Sequence, residues 1–271
     1  MLDTHFHQGM GLQCQQPQDE LRLLVVTSQD DGGKTLSTLW QLCGHLQRLN
    51  YPVVVLDATA VETDRAPGLL QLLTHAPWAD ASVHGVHADA SALAVVPSAL
   101  GMLTLANTAQ RKGQAAQTLG QLEPIFRRYA VVVLYAPIEL LSTPLLAGSS
   151  TMPLLVTKPG KNALMECYRQ VKHLSLHANL PSMVAYLSPH ASGKKAEQAR
   201  HSLEALERCV AHHLGQRLHG MVLPENSPID LQRLALLLLD NASAIGTPSA
   251  MAWHAGQWAT HSAASHLFQS H

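Results

Sequence analysis

Seven short apolar runs, most of them set apart by helix-length segments, constrain this sequence more than any other feature. They are Leu23–Val26, Val53–Leu56, Ala94–Val96, Val131–Leu134, Leu154–Val156, Met183–Ala185 and Met221–Leu223. The runs are near-continuous and mostly Val-rich, not alternating. That pattern suits strands buried on both faces of a parallel sheet. Several intervening segments carry apolar residues at helical spacing. Leu36, Leu39, Trp40, Cys43, Leu46 and Leu49 form one stripe. Leu164, Tyr168, Val171 and Leu174 form a second, and Ala199, Leu203, Leu206, Val210 and Leu214 a third. Each presents one apolar face to a sheet. Strands alternating with helices predict an α/β fold, a doubly wound and mostly parallel sheet flanked by helices.

With 271 residues and 46% hydrophobic content, one large α/β unit is expected. We place it at 21–240, between a flexible N-terminal segment (1–20) and a polar C-terminal tail (241–271). Ala106 to Gly120 reads as a Gln/Ala/Thr-rich loop leading into a helix toward Tyr129. Ser188 to Lys195 reads as an exposed loop. Lys+Arg is 18 against Asp+Glu 19, so no basic surplus supports a nucleic-acid binder. The longest apolar run, Tyr129–Ala136, is far shorter than the roughly 20 residues that span a bilayer. The scattered Cys14, Cys43, Cys167 and Cys209 lack paired zinc spacing and read as reduced thiols in the cytoplasm. Among 17 histidines, only His84/His87 and His173/His177 have suggestive spacing, and two ligands do not make a metal site.

The chemistry concentrates after the first run, at Thr27-Ser28-Gln29-Asp30-Asp31-Gly32-Gly33-Lys34-Thr35. Strand, glycine-rich turn, Gly-Lys-Thr and helix is the context in which backbone amides curl around a phosphate. Lysine then adds a charge and threonine holds magnesium. Gly32, Gly33, Lys34 and Thr35 are the candidate nucleotide-binding residues. Ser28 stands where the motif asks for glycine. Asp30 and Asp31 also oppose a phosphate: a carboxylate ~5 Å away costs about 3 kcal/mol per charge pair at an effective dielectric near 20. A lysine at a helix start also opposes the helix dipole, so an anion such as phosphate or sulfate is expected at this turn.

These residues resemble the ParA/MinD group of P-loop ATPases, and within it the flagellar number regulators of FlhG type. The loop resembles Lys-Gly-Gly-x-Gly-Lys-Thr, and Val55-Leu56-Asp57 resembles the strand that ends in an aspartate. Leu154-Leu155-Val156-Thr157-Lys158-Pro159 and Leu218–Glu225 resemble later segments of the group. The resemblance makes Asp57 the candidate catalytic residue and, with Thr35, the candidate magnesium ligand for bound ATP or ADP. His7-Gln8-Gly9-Met10-Gly11-Leu12-Gln13 resembles an eroded activator motif that acts on a signal-recognition-type GTPase. Gln8, Gly11 and Leu12 are therefore the candidate partner-binding residues, with flagellar components as further partners.

The departures fall on chemistry. The group's signature lysine corresponds to Gln29, and its magnesium-linked aspartate on the fourth strand to Tyr135. A phenol with a pKa near 10 is a poor magnesium ligand at neutral pH. Thr59 replaces a second acid, and the adenine-reading asparagine has no match at Tyr186-Leu187. Phosphoryl transfer depends on placed charge, so this pattern describes a pseudo-ATPase or very weak ATPase serving as a regulatory binding module. The alternative is an active ATP-dependent dimerising switch of MinD/ParA type; the resemblance allows a homodimer in either case. The tail carries Trp253, Trp258, Leu267 and Phe268 but no Lys or Arg after Arg233, so membrane contact is at most peripheral.

Overall fold

The computed structural model describes residues 20–29, 33–74, 93–189, 192–225 and 227–246. All seven runs form strands: β1 Leu21–Thr27, β2 Val53–Asp57, β3 Ala94–Pro97, β4 Val131–Ala136, β5 Leu154–Thr157, β6 Met183–Ser188 and β7 His219–Pro224. They lie parallel in the order β3-β2-β4-β1-β5-β6-β7. The order places β4 between β1 and β2, so the ends of the three strands that carry the candidate site lie side by side.

The helices are α1 Lys34–Arg48, α2 Leu69–Thr74, α3 Ala99–Lys112, α4 Ala115–Gly120, α5 Glu123–Phe126, α6 Ile138–Leu141, α7 Lys161–Ala178, α8 Lys194–Leu214 and α9 Pro228–Asp240. On one face of the sheet, α3, α7 and α8 bury Met102, Leu105, Val171, Leu174, Leu203 and Leu206 against Val54, Leu56, Val132 and Val184. On the other face, α1 and α9 bury Leu39, Leu42, Leu46, Leu234 and Leu238 against Val53, Val55, Val131 and Val133. Alternation along each strand serves both cores, which is why the runs are apolar throughout. Leu36 and Trp40 fall on the outer side of α1, each 37% exposed, so the stripe read from the sequence is shifted toward Thr38 and Leu42.

Three expectations are corrected. The Ala106–Gly120 segment is helical, not a loop: α3 runs through Lys112, ends at left-handed Gly113 (φ 65°), and α4 follows at once. Ala106 and Ala109 are buried, and alanine-rich sequence favours helix. The sheet also extends past the expected boundary at 240. An eighth strand, β8 Ser243–Ile245, pairs antiparallel with Leu21–Leu23. Strand β5 meets β1 only at Val26↔Leu154, so the other end of β1 is open on that side and β8 occupies it. Ser188 is buried at the end of β6, and Lys194 already starts α8, so the loop expected across 188–195 is shorter than read. Among the described residues, no helix is long and apolar enough to cross a membrane.

Candidate functional site

Ligands of open α/β sheets bind beyond the carboxyl ends of the strands. Here β1 ends at Thr27, whose hydroxyl donates to the Leu154 carbonyl at 3.1 Å and ties β1 to β5. The chain re-enters regular structure at Gly33, which caps α1 with φ 84°, a conformation that favours glycine. Lys34 and Thr35 open the helix, and Thr35 is fully buried. Gly32, Asp30 and Asp31 lie outside the described residues, as do Gln8, Gly11 and Leu12.

Lys34 has a partner within its own chain. Its Nζ donates to Glu225 Oε1 at 3.0 Å, across 191 residues of sequence. At this helix start a carboxylate of the same chain meets the lysine. Both side chains are about half exposed (53% and 43%), so the pair contributes at most about 1 kcal/mol and can open. Beside it lies a cleft of about 170 Å³, bounded by Lys34, Thr38, Leu187, Glu225, Ser227 and Leu231.

Asp57 ends β2, in register with Tyr135 of β4 and Pro97 of β3. Its Oδ1 accepts from the Thr59 amide at 2.9 Å and from the Thr59 hydroxyl at 2.6 Å. The residue standing at the second acidic position of the resemblance thus holds the first acid in place. Tyr135 is 8% exposed and packs on the α1 face with Val131 and Val133. Gln29 Nε2 donates to Gln170 Oε1 of α7 at 2.8 Å, so this side chain is engaged within its own chain.

The topology thus brings Gly33, Lys34 and Thr35 to the start of α1 and sets Asp57 level with Tyr135 nearby. Sequence reasoning missed the role of Glu225. Its signal was faint: an acid following Pro224 at the end of the last parallel strand. The rings of His173 and His177 lie one turn apart on α7, tilted at 46° with centroids 4.4 Å apart. Among the described residues, no group of three or more His, Cys, Asp or Glu is arranged to hold a metal ion. Burial pushes the Cys43 and Cys167 thiols up to about 12.

No protein-family model and no curated protein matches the chain. Solved structures match it at low identity. Cobyrinic acid a,c-diamide synthase from Mycobacterium smegmatis, with bound ADP and magnesium, is similar over 81% of this chain and 94% of that one, with 14% identity and a TM-score of 0.51. McdA from Cyanothece, in complex with ATP, is 19% identical over 82% of this chain and 89% of that one, with a TM-score of 0.46. The MinC:MinD cell division complex of Aquifex aeolicus gives 15% identity over 80% and 86%, with a TM-score of 0.45. With its mostly parallel sheet and flanking helices, the chain shares the α/β fold of cobyrinic acid a,c-diamide synthase.

Proposed function

We propose that this chain is a MinD/ParA-like protein that keeps the scaffold of a nucleotide hydrolase and has lost all or nearly all of its catalysis. In this reading it is a regulatory binding module for flagellar number or placement. It acts in the cytoplasm through protein partners, either a signal-recognition-type GTPase or flagellar components.

One observation carries the loss of catalysis. Near the end of the strand between β1 and β2, buried Tyr135 stands level with Asp57, where hydrolysis would need a second acid. Two others support it. Lys34 is answered by Glu225, and Gln29 is tied to Gln170. Magnesium ATP or ADP fits this set poorly: Thr35 and Asp57 would have to hold the ion without a carboxylate from β4, and a phosphate would meet Glu225 beside Lys34. No hydrolytic step is therefore assigned.

Calorimetric titration with magnesium ATP, together with phosphate-release kinetics, tests the reading. The expected result is no micromolar binding and no release above background. Micromolar binding with turnover lost in Lys34→Ala would restore the dimerising ATPase switch. Residues 1–20 supply a separate test of the partner. Addition of the chain should stimulate a signal-recognition-type GTPase, and Gln8→Ala with Leu12→Ala should remove the stimulation. An unchanged GTPase rate would exclude that partner.

A further inference from the structure

Strand β6 serves two clefts. Leu187 faces the Lys34 cleft, whereas Tyr186 and Ser188 face a larger one, about 520 Å³, on the opposite side of the sheet. The larger cleft opens between the starts of α7 and α8, and Lys161, Leu164, Lys195 and Ala199 contribute to its walls. Both helices begin at a positive-φ glycine, Gly160 (128°) and Gly193 (85°), and neither start has a side-chain cap. The first-turn amides of an 18-residue and a 21-residue helix are thus left without side-chain acceptors.

The charges make this more pointed. Lys161 starts α7, and Lys194-Lys195 start α8, all against the helix dipoles. Glu197 is the sole acid in either first turn. Ion pairs among the described residues are Lys34–Glu225, Arg169–Glu166, Arg208–Glu204 and Arg233–Asp230, so these three lysines have no carboxylate partner there. Elsewhere the chain closes a helix start with its own anion. The Glu62 carboxylate, 4% exposed, accepts from the Leu100 amide at 2.7 Å and the Gly101 amide at 2.8 Å at the start of α3.

Tyr186 is an independent sign of a ligand. It is only 4% exposed, lines the cleft, and its hydroxyl makes no hydrogen bond among the described residues. Unlike the sealed hydroxyls of Ser98, Ser149 and Ser182, this one opens to the cleft, where it can donate to a ligand.

We propose that this second cleft binds a small organic phosphomonoester. Two lysines and two helix starts match a dianion better than a single carboxylate. The Tyr186 hydroxyl adds a donor to the phosphate, and Leu164 and Ala199 offer an apolar wall to the organic body. Calorimetry on the full chain with phenyl phosphate, and separately with inorganic phosphate, tests the assignment. Phenyl phosphate should bind saturably and more tightly than inorganic phosphate. Lys161→Ala and Lys195→Ala should each weaken it about tenfold, the scale of one charge-assisted hydrogen bond. Tyr186→Phe should weaken it about fivefold with an unchanged melting temperature, since only the hydroxyl is lost. Lys34→Ala should leave it unaltered. Absence of saturable binding, equal affinity for inorganic phosphate, indifference to both lysine variants, or loss in Lys34→Ala would each overturn the proposal.

Discussion

The two clefts flanking β6 pose the same electrostatic problem and differ in how it is answered. At the α1 start, Lys34 opposes the dipole, and Glu225 closes the charge from across the sheet. At the α7 and α8 starts, Lys161 and Lys195 oppose the dipoles with no carboxylate partner among the described residues, and the space is about 520 Å³ against about 170 Å³. The position that sequence motifs mark as the active site is therefore partly satisfied from within. The position that no motif marks is the one left open to an external anion. A motif-bearing turn is not evidence of a waiting site until its charges have been accounted for.

The largest expected effect tests whether both faces are equally well packed. Cys43 of α1 and Cys167 of α7 lie in the two opposite cores, one on each face of the sheet, and burial raises each thiol from 9.0 to about 12. The thiolate fraction near neutral pH, and with it the alkylation rate, should fall roughly a thousandfold below that of a free thiol. Mass spectrometry after brief iodoacetamide treatment should find both unlabelled. Selective labelling of Cys167 would mean that the α7 core opens, which would undercut a preformed second cleft. The sign for stability follows directly: a raised thiol stabilises the folded state fully below about pH 9, and that contribution is lost as pH climbs toward 12.

Next in size is the internally closed helix start. Glu62→Ala removes the acceptor of the Leu100 and Gly101 amides, and also of the Leu70 amide at 3.3 Å. Denaturant unfolding should show a loss of about 2–4 kcal/mol. A neutral outcome would mean that bare helix starts cost little here, and the contrast between the clefts would lose its force. Glu225→Gln is a gentler probe. It frees Lys34, so affinity for pyrophosphate at the first cleft should rise about tenfold by calorimetry. No gain would show that Glu225 is not what answers the lysine.

The smallest effect is on stability without ligand. Lys161→Ala and Lys195→Ala each remove a charge opposed to a helix dipole and should stabilise the empty protein by about 0.3–1 kcal/mol. Lys34→Ala should be near neutral, because its pairing with Glu225 offsets the dipole. Equal effects at all three lysines, read from melting temperatures, would erase the distinction between the clefts.

The seven parallel strands were legible because burial on both faces demands uninterrupted apolar residues, as in Val131–Leu134. Strand β8 was not, since Ser243-Ala244-Ile245 is held by the free edge of β1 and carries no pattern of its own. The second half of α3 was misread because alanine supplies its buried surface in place of larger side chains, and the six-residue α4, which buries only Thr118 and Leu119, is too short to show a period. The Gly-Lys-Thr turn placed Lys34, and the family resemblance singled out Asp57, Gln29 and Tyr135. Their partners could not be found in this way. Glu225 reaches Lys34 across 191 residues, and Gln170 reaches Gln29 across 141. The second cleft exists only because two crossovers set the α7 and α8 starts side by side, which no linear pattern reveals.

The central claim is that the Gly-Lys-Thr turn no longer holds a catalytic magnesium nucleotide, and a crystal structure after soaking with magnesium and a non-hydrolysable ATP analogue tests it most directly. The account predicts Lys34 still paired with Glu225 and no magnesium between Thr35 and Asp57. An ordered triphosphate wrapped by residues 29–35, with magnesium held by Thr35 and Asp57, would contradict it.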